Sequence, residues 1–138
     1  SLLAVDDARM LYAENSGERD AVVVRDVEPG VHVLGNFGLD NHNDDVVRTV
    51  GAAARALVAT SDEASLVASL QELLGRHGVG WPCVHLTVDL GGGPRAYGTR
   101  SAGVLVRRSS LADSRFFENA GAPHQAETWR DRTSLLTG

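Results

Sequence analysis

The sequence contains no lysine and no isoleucine: all thirteen basic residues are arginine. That bias fits a GC-rich bacterial genome and carries no mechanism of its own. Cys83 is the sole cysteine, so an internal disulfide and the paired-cysteine zinc patterns are excluded. A reducing compartment such as the cytoplasm is compatible with this usage. No run of about 18 apolar residues occurs, so no membrane-spanning helix is expected. The opening "SLLAVDDARM" lacks the basic start and long apolar core of a secretion signal. The formal net charge of −5 removes any general case for nucleic-acid binding. Hydrophobic residues at 43% and charged residues at 22% are ordinary globular usage. The 138 residues suffice for one modest domain, 1–138. The chain begins at Ser1 and not at Met, which reads either as processing or as a piece of something longer.

The pattern opens with strands. "LLAVDD" and "ARMLYAEN" flank a tight turn at Asp6-Asp7, "SGERD" is a second turn, and "AVVVRDV" and "VHVLGN" follow around Glu28-Pro29-Gly30. A four-strand meander is expected. A helix then starts at Asn43 or Asp44, with Asp45 suited to its positive end. Its apolar face is Val46, Val47, Val50, Ala54, Leu57 and Val58. Ser61 is the expected cap of a second helix, with Leu66, Val67, Leu70, Leu73 and Leu74 as its buried stripe and Gly75 or Gly78 as its stop. Beyond it, "VGWPCVHLTVDLGGGPRA" is loop-like with a short strand at "CVHLTV". "YGTRSAGVLVRR" reads as one strand, "SRFFENA" as its hairpin partner, and "AETWRDRTSLL" as a last strand or helix. Strands and helices in separate blocks make the class α+β with a mostly antiparallel sheet.

Several polar groups are candidates for chemistry. Asp40, His42 and Asp44 alternate in "LDNHNDD", but an EF-hand loop would need Gly and Glu where Asp45 and Gly51 stand. Asn, Asp and Gly are also what a strand-to-helix turn requires. The five histidines form no HxH or HExxH pair, and His32 reads as a satisfied strand residue. Cys83 reads as a buried thiol more readily than as a nucleophile. "GGGPRAYGTR" lacks the lysine of a phosphate loop, and its glycines read as a turn. Arg100, early in the strand, is suited to gripping a carboxylate or phosphate, or to a structural ion pair. Ser1 is a candidate N-terminal nucleophile or simply a boundary.

Three separated motifs, in order, resemble one family. "PGVHVLGNFGLD", "YGTRSAGVLV" and "FFEN" are similar to segments of the NRDE family, also called the transport-and-Golgi-organisation family. The resemblance covers nearly the whole chain but only the second half of the family pattern. It implies an Ntn-hydrolase-like αββα fold, two mostly antiparallel sheets between helical layers. The first half, with its N-terminal nucleophilic cysteine and the Asn-Arg-Asp-Glu motif, has no counterpart here. The resemblance therefore implies a partner: the N-terminal half of the same domain or another chain, since a half-sheet leaves an open edge and face; a homo-oligomer is a further way to cover them. The implied activity is hydrolysis of an amide C–N bond in a small molecule, with no cofactor required. Asn36 would serve as the oxyanion donor, Arg48 as the downstream basic residue, and Arg100, Asp40 and His42 as binding residues. The alternative is a non-catalytic carrier of haem or another hydrophobic ligand, with His32, His42 or His85 as axial ligands. Gly35 stands where the family has Ser, and "NHNDDVV" replaces its usual "pWpK".

Overall fold

The computed structural model describes residues 1–6, 9–15, 21–60, 62–89, 91–124 and 129–137. The chain is α+β: the described residues form two α-helices and ten strands in small sheets, with every described strand ladder antiparallel. Strands β1 (Leu2–Val5), β2 (Met10–Asn15) and β3 (Val22–Val27) form a three-stranded sheet with β2 in the middle. The first hairpin is closed by the Asp6 amide donating to the Arg9 carbonyl at 3.0 Å. The expected turn at "SGERD" lies outside the described residues.

The register separates two faces. Tyr12 lies between Leu3 and Arg25, and Met10 between Val5 and Val27. On the opposite face Ala13 lies between Leu2 and Val24, and Leu11 between Ala4 and Asp26. Tyr12 is 1% exposed, whereas Leu2, Val22 and Val24 on the other face are 63%, 65% and 58% exposed. On the first face Tyr12 packs on the rest of the chain while Val5 and Val23 are exposed, and the second face exposes Leu2, Val22 and Val24.

The fourth strand of the expected meander is absent. Residues 31–33 form no ladder, and only Leu34–Gly35 (β4) is a strand, paired with Gly38–Leu39 (β5) as a separate small hairpin. The cause is Asp40. One of its carboxylate oxygens accepts from the Val33 amide at 2.9 Å, and its own amide donates to the Val33 carbonyl at 2.9 Å. The backbone groups a ladder would use are thus already taken.

Helix α1 (Asp45–Thr60) is capped by Asp44, whose carboxylate accepts from the Val46 amide at 2.8 Å. Of its expected apolar face, Val47 is buried and Val46, Val50, Ala54 and Leu57 are half-buried, but Val58 is exposed. Ser61, the expected cap of the second helix, lies outside the described residues. Helix α2 (Glu63–Gly75) is capped by Asp62, which accepts from the Ser65 amide at 3.0 Å. Its stripe follows the pattern, with Val67 and Leu73 buried and Leu66, Leu70 and Leu74 half-buried.

The segment expected to be loop-like with a short strand is a hairpin, β6 (His85–Asp89) with β7 (Pro94–Gly98). Its turn is set by Asp89, which accepts from the amides of Gly91 and Gly93, both at φ 89°. "YGTRSAGVLV" is two strands and not one. It breaks after Gly98, and β8 (Ala102–Val106) joins β9 (Arg115–Asn119) and β10 (Trp129–Asp131) in a different sheet. The break follows from Thr99, whose amide donates to the Val84 carbonyl at 2.9 Å while its hydroxyl accepts from the Val84 amide at 3.0 Å. The final segment is both strand and helix: β10, then a 3-10 turn at Thr133–Leu136.

A folded monomer of 14.6 kDa exposes about 6,900 Å² by the usual mass scaling. This chain exposes 9551 Å². The excess reflects small sheets with open faces and a core limited to a few side chains, among them Tyr12, Leu39, Val47, Val67, Leu73, Cys83 and Val104. No described helix is long and apolar enough to cross a membrane.

Candidate functional site

Asn36 occupies the two-residue turn between β4 and β5, next to the half-buried Gly35 and the buried Gly38. Its side chain is exposed and makes no hydrogen bond among the described residues. It lines a hollow of about 380 Å³ with Asp44, Trp81, Tyr97, Gly98 and Thr99. The hairpin is held in place from both sides. Beneath it, a Cβ on Gly38 would sit 3.2 Å from the Tyr12 hydroxyl. That hydroxyl donates to Glu14 at 2.6 Å and lies 3.2 Å from the Ser1 hydroxyl. Beside it, a Cβ on Gly35 would stand 2.7 Å from Val47 Cγ2 and 3.1 Å from Asp44 Oδ2. The start of α1 therefore occupies the volume that a serine side chain at position 35 would need. Gly35 is what lets the hairpin close on the helix.

The two longest resemblance motifs meet here. Asn36 from "GNFGLD" and Tyr97-Gly98-Thr99 from "YGTRS" line the same hollow, although about sixty residues separate them in sequence. Tyr97, Gly98 and Thr99 also border a second hollow of about 560 Å³, with His85, Arg100 and Gly121. Arg100 sits in the link between β7 and β8, and no ion pair holds its guanidinium among the described residues. Arg48 lies elsewhere. Its guanidinium donates to the His42 carbonyl at 3.1 Å and pairs with Asp45, and it is not among the residues that line the Asn36 hollow.

Asp40, His42 and Asp44 do not act together. Asp44 caps α1. Asp40, at φ 54°, binds His32, with Nδ1 to Oδ2 at 2.7 Å. The other ring nitrogen of His32 lies 2.8 Å from the Glu28 carbonyl, so both nitrogens are engaged. The hydrogen bond to Asp40 raises the His32 pKa above its usual value, with desolvation opposing. For Asp40, desolvation pushes the pKa up, but the bonds from His32 and the Val33 amide together outweigh it and the net shift is down. The raised His32 contributes stability in full below its unfolded pKa of about 6.5 and loses it as pH rises through the folded value. The depressed Asp40 contributes above about pH 3.9 and loses its share as pH falls through its folded value. Asp40→Asn keeps an acceptor and tolerates positive φ but removes the charge. Its loss of thermal stability should be greatest between the ordinary Asp and His values, about 3.9 and 6.5, and should shrink as pH rises through the raised His32 value. Melting curves of the two proteins across pH check this, and a difference that does not vary with pH would refute the pairing.

A cluster that the sequence pattern does not single out lies beyond α2. Cys83 is 1% exposed, and its sulfur is 3.4 Å from His124 Nδ1. The His124 ring lies 5.1 Å from that of His85 and 5.4 Å from that of His77. The signal available in sequence is the spacing His77-x5-Cys83-x-His85, which matches none of the common metal patterns. The fourth member comes from forty residues further on.

Comparison of the chain with family models, with curated proteins and with solved structures returns no match to any of them.

Proposed function

We propose that this chain is the oxyanion-donor half of an Ntn-hydrolase-like αββα amidohydrolase of NRDE type, acting on a small-molecule amide. The observation that carries the reading is the convergence of Asn36 and Tyr97-Gly98-Thr99 on one hollow. Attack on an amide carbonyl places negative charge on its oxygen, and a fixed N–H donor about 3 Å away lowers that barrier. Asn36 offers an uncommitted side-chain amide on a turn fixed by Tyr12 below and by Val47 beside it. Arg100 supplies positive charge on the far side of Tyr97–Thr99 and suits an anionic group on the substrate. Arg48 acts by fixing the turn at His42–Asp45 and does not touch substrate. The nucleophile belongs to a partner segment, and the uncovered apolar face of Leu2, Val22 and Val24 is a surface for that segment to cover.

In the assembled enzyme, Asn36→Ala should lower kcat about 10²–10³-fold, with a much smaller change in KM. An Asn36→Ala enzyme with an unchanged rate on every amide that the wild type cleaves would overturn the assignment.

The second reading, a carrier of haem or another hydrophobic ligand, draws on the same apolar face. His32 fits it poorly as an axial ligand, because both its ring nitrogens would have to leave Asp40 and Glu28. His42 and His85 remain its candidates. A Soret shift on adding haem, abolished by substituting one of these two, would favour it over hydrolysis.

A further inference from the structure

We infer that His32 is a proton-operated latch: its doubly protonated ring ties the bend at Glu28-Pro29-Gly30 to Asp40, and loss of one proton frees that bend. The inference is independent of the amide-hydrolysis reading. It rests on the two partners of the ring. Nδ1 lies 2.7 Å from a carboxylate oxygen of Asp40, and Nε2 lies 2.8 Å from the Glu28 carbonyl oxygen. A carbonyl oxygen only accepts, and so does an ionised carboxylate. The other oxygen of Asp40 accepts from the Val33 amide at 2.9 Å, which favours the ionised form. A neutral imidazole has one N–H and one bare lone pair, so it satisfies only one of these acceptors. The imidazolium has an N–H for each. The latch therefore joins the end of β3 to the residue that follows β5, the second strand of the hairpin that carries Asn36.

Bond strength decides which contact survives deprotonation. A hydrogen bond to a charged carboxylate is stronger than one to a neutral carbonyl, so the remaining proton stays on Nδ1, facing Asp40. Nε2 then turns a lone pair on the Glu28 oxygen 2.8 Å away, and two acceptors at that distance repel. Asp40 cannot follow, because its amide and its carboxylate are both bonded to Val33. The bend is the part free to give. Glu28, Pro29 and Gly30 are exposed, and the bond to His32 is the one hydrogen bond that holds them among the described residues. Gly30 lies against the ring, since a Cβ there would stand 3.3 Å from Nε2. Glu28 and Pro29 also wall a hollow of about 390 Å³ with Val5, Arg9 and Met10, so moving the bend reshapes that hollow. The charged groups that face the ring are Asp40, which favours the imidazolium, and Arg25 in β3, which opposes it. His42 acts on Asp40, and Glu28 contributes its backbone carbonyl. The balance raises the His32 pKa. The latch is thus closed below the ordinary histidine value of about 6.5 and opens as pH rises through the folded value.

The test is NMR of ring nitrogens and backbone amides on the intact chain, titrated from about pH 5 to about pH 9. Both His32 ring nitrogens should carry protons at the acid end, and Nδ1 alone at the alkaline end. The midpoint should lie above about 6.5. The amides of Gly30, Val31 and His32 should shift on that same midpoint. Asp40→Asn removes the charge that favours the imidazolium, so it should bring the midpoint down to about 6.5 or below. His32→Gln should abolish the pH-dependent shift of the Gly30 and Val31 amides, and His42→Gln should leave it in place. The wild-type titration keeps the test valid if a variant fails to fold. A wild-type midpoint at or below about 6.5, a last proton held on Nε2, or amides that do not follow the ring would each overturn the inference. So would an amide shift that survives His32→Gln.

Discussion

Tyr12→Ala should cost about 3–5 kcal/mol, the range for removing a buried aromatic. A typical domain has only about 5–15 kcal/mol in total, so the variant should be close to unfolding. Tyr12 is 1% exposed and lies on the packed face of the first sheet. Its ring carries the Arg25 guanidinium at 5.0 Å. Its hydroxyl reaches Glu14 at 2.6 Å and underlies Gly38. Truncation therefore empties the contact between the first sheet and the β4–β5 hairpin, and with it the support of Asn36. Tyr12→Phe keeps the ring and loses only the hydroxyl bonds, so about 1 kcal/mol is expected. Urea midpoints of the two variants separate packing from hydrogen bonding. Equal losses in the two would show that the hydroxyl, and not the ring, holds the hairpin.

Gly98→Ala is the second large effect. Its φ is not in the left-handed region, so the restriction is one of space. A Cβ there would sit 2.4 Å from the Val84 carbonyl oxygen and 3.3 Å from His85 Cα. Both are backbone atoms, which cannot swing aside as a flexible side chain would. The chain must move apart where Thr99 is bonded to Val84, and overpacking of this kind costs about 1–3 kcal/mol. Because Gly98 borders both hollows, the same change should disturb the Asn36 site. Gly92→Ala is the control: its Cβ would meet only the Arg95 side chain at 3.5 Å, and a change within about 0.5 kcal/mol is expected. Comparable urea midpoints for the two variants would mean that β7 does not approach Val84 so closely.

Local chemistry made much of the fold legible. The α+β class, the three valine-rich and alternating strands at the start, both helices and the β8–β9 hairpin all rest on periodicity and capping, which act within a few residues. Asp44 caps α1 because a short acceptor before an apolar run satisfies the free amides of the first turn. The errors share one cause. Residues 31–33 have strand-like composition, but Asp40, seven residues beyond Val33, takes both of that residue's backbone groups. "YGTRSAGVLV" is continuous in pattern, but Thr99 is bonded to Val84 and the strand divides between two sheets. In each case a partner distant in sequence competes for hydrogen bonds that local propensity had assigned to a ladder.

The site divides along the same line. The sequence by itself determined that Asn36 stands at a strand end, that "NHNDD" is a turn and helix cap, and that Cys83 has no cysteine partner. These follow from residue type and short-range spacing. Only the tertiary structure decided that Asn36 shares a hollow with Tyr97-Gly98-Thr99, that Arg48 does not line it, and that Gly35 is required by Val47. It also decided that Cys83 lies among three imidazoles. Asn36 and Tyr97, Gly35 and Val47, and Cys83 and His124 are each separated by more than ten residues along the chain. Such contacts depend on how the chain closes on itself, and the local periodicity of a single sequence does not encode them.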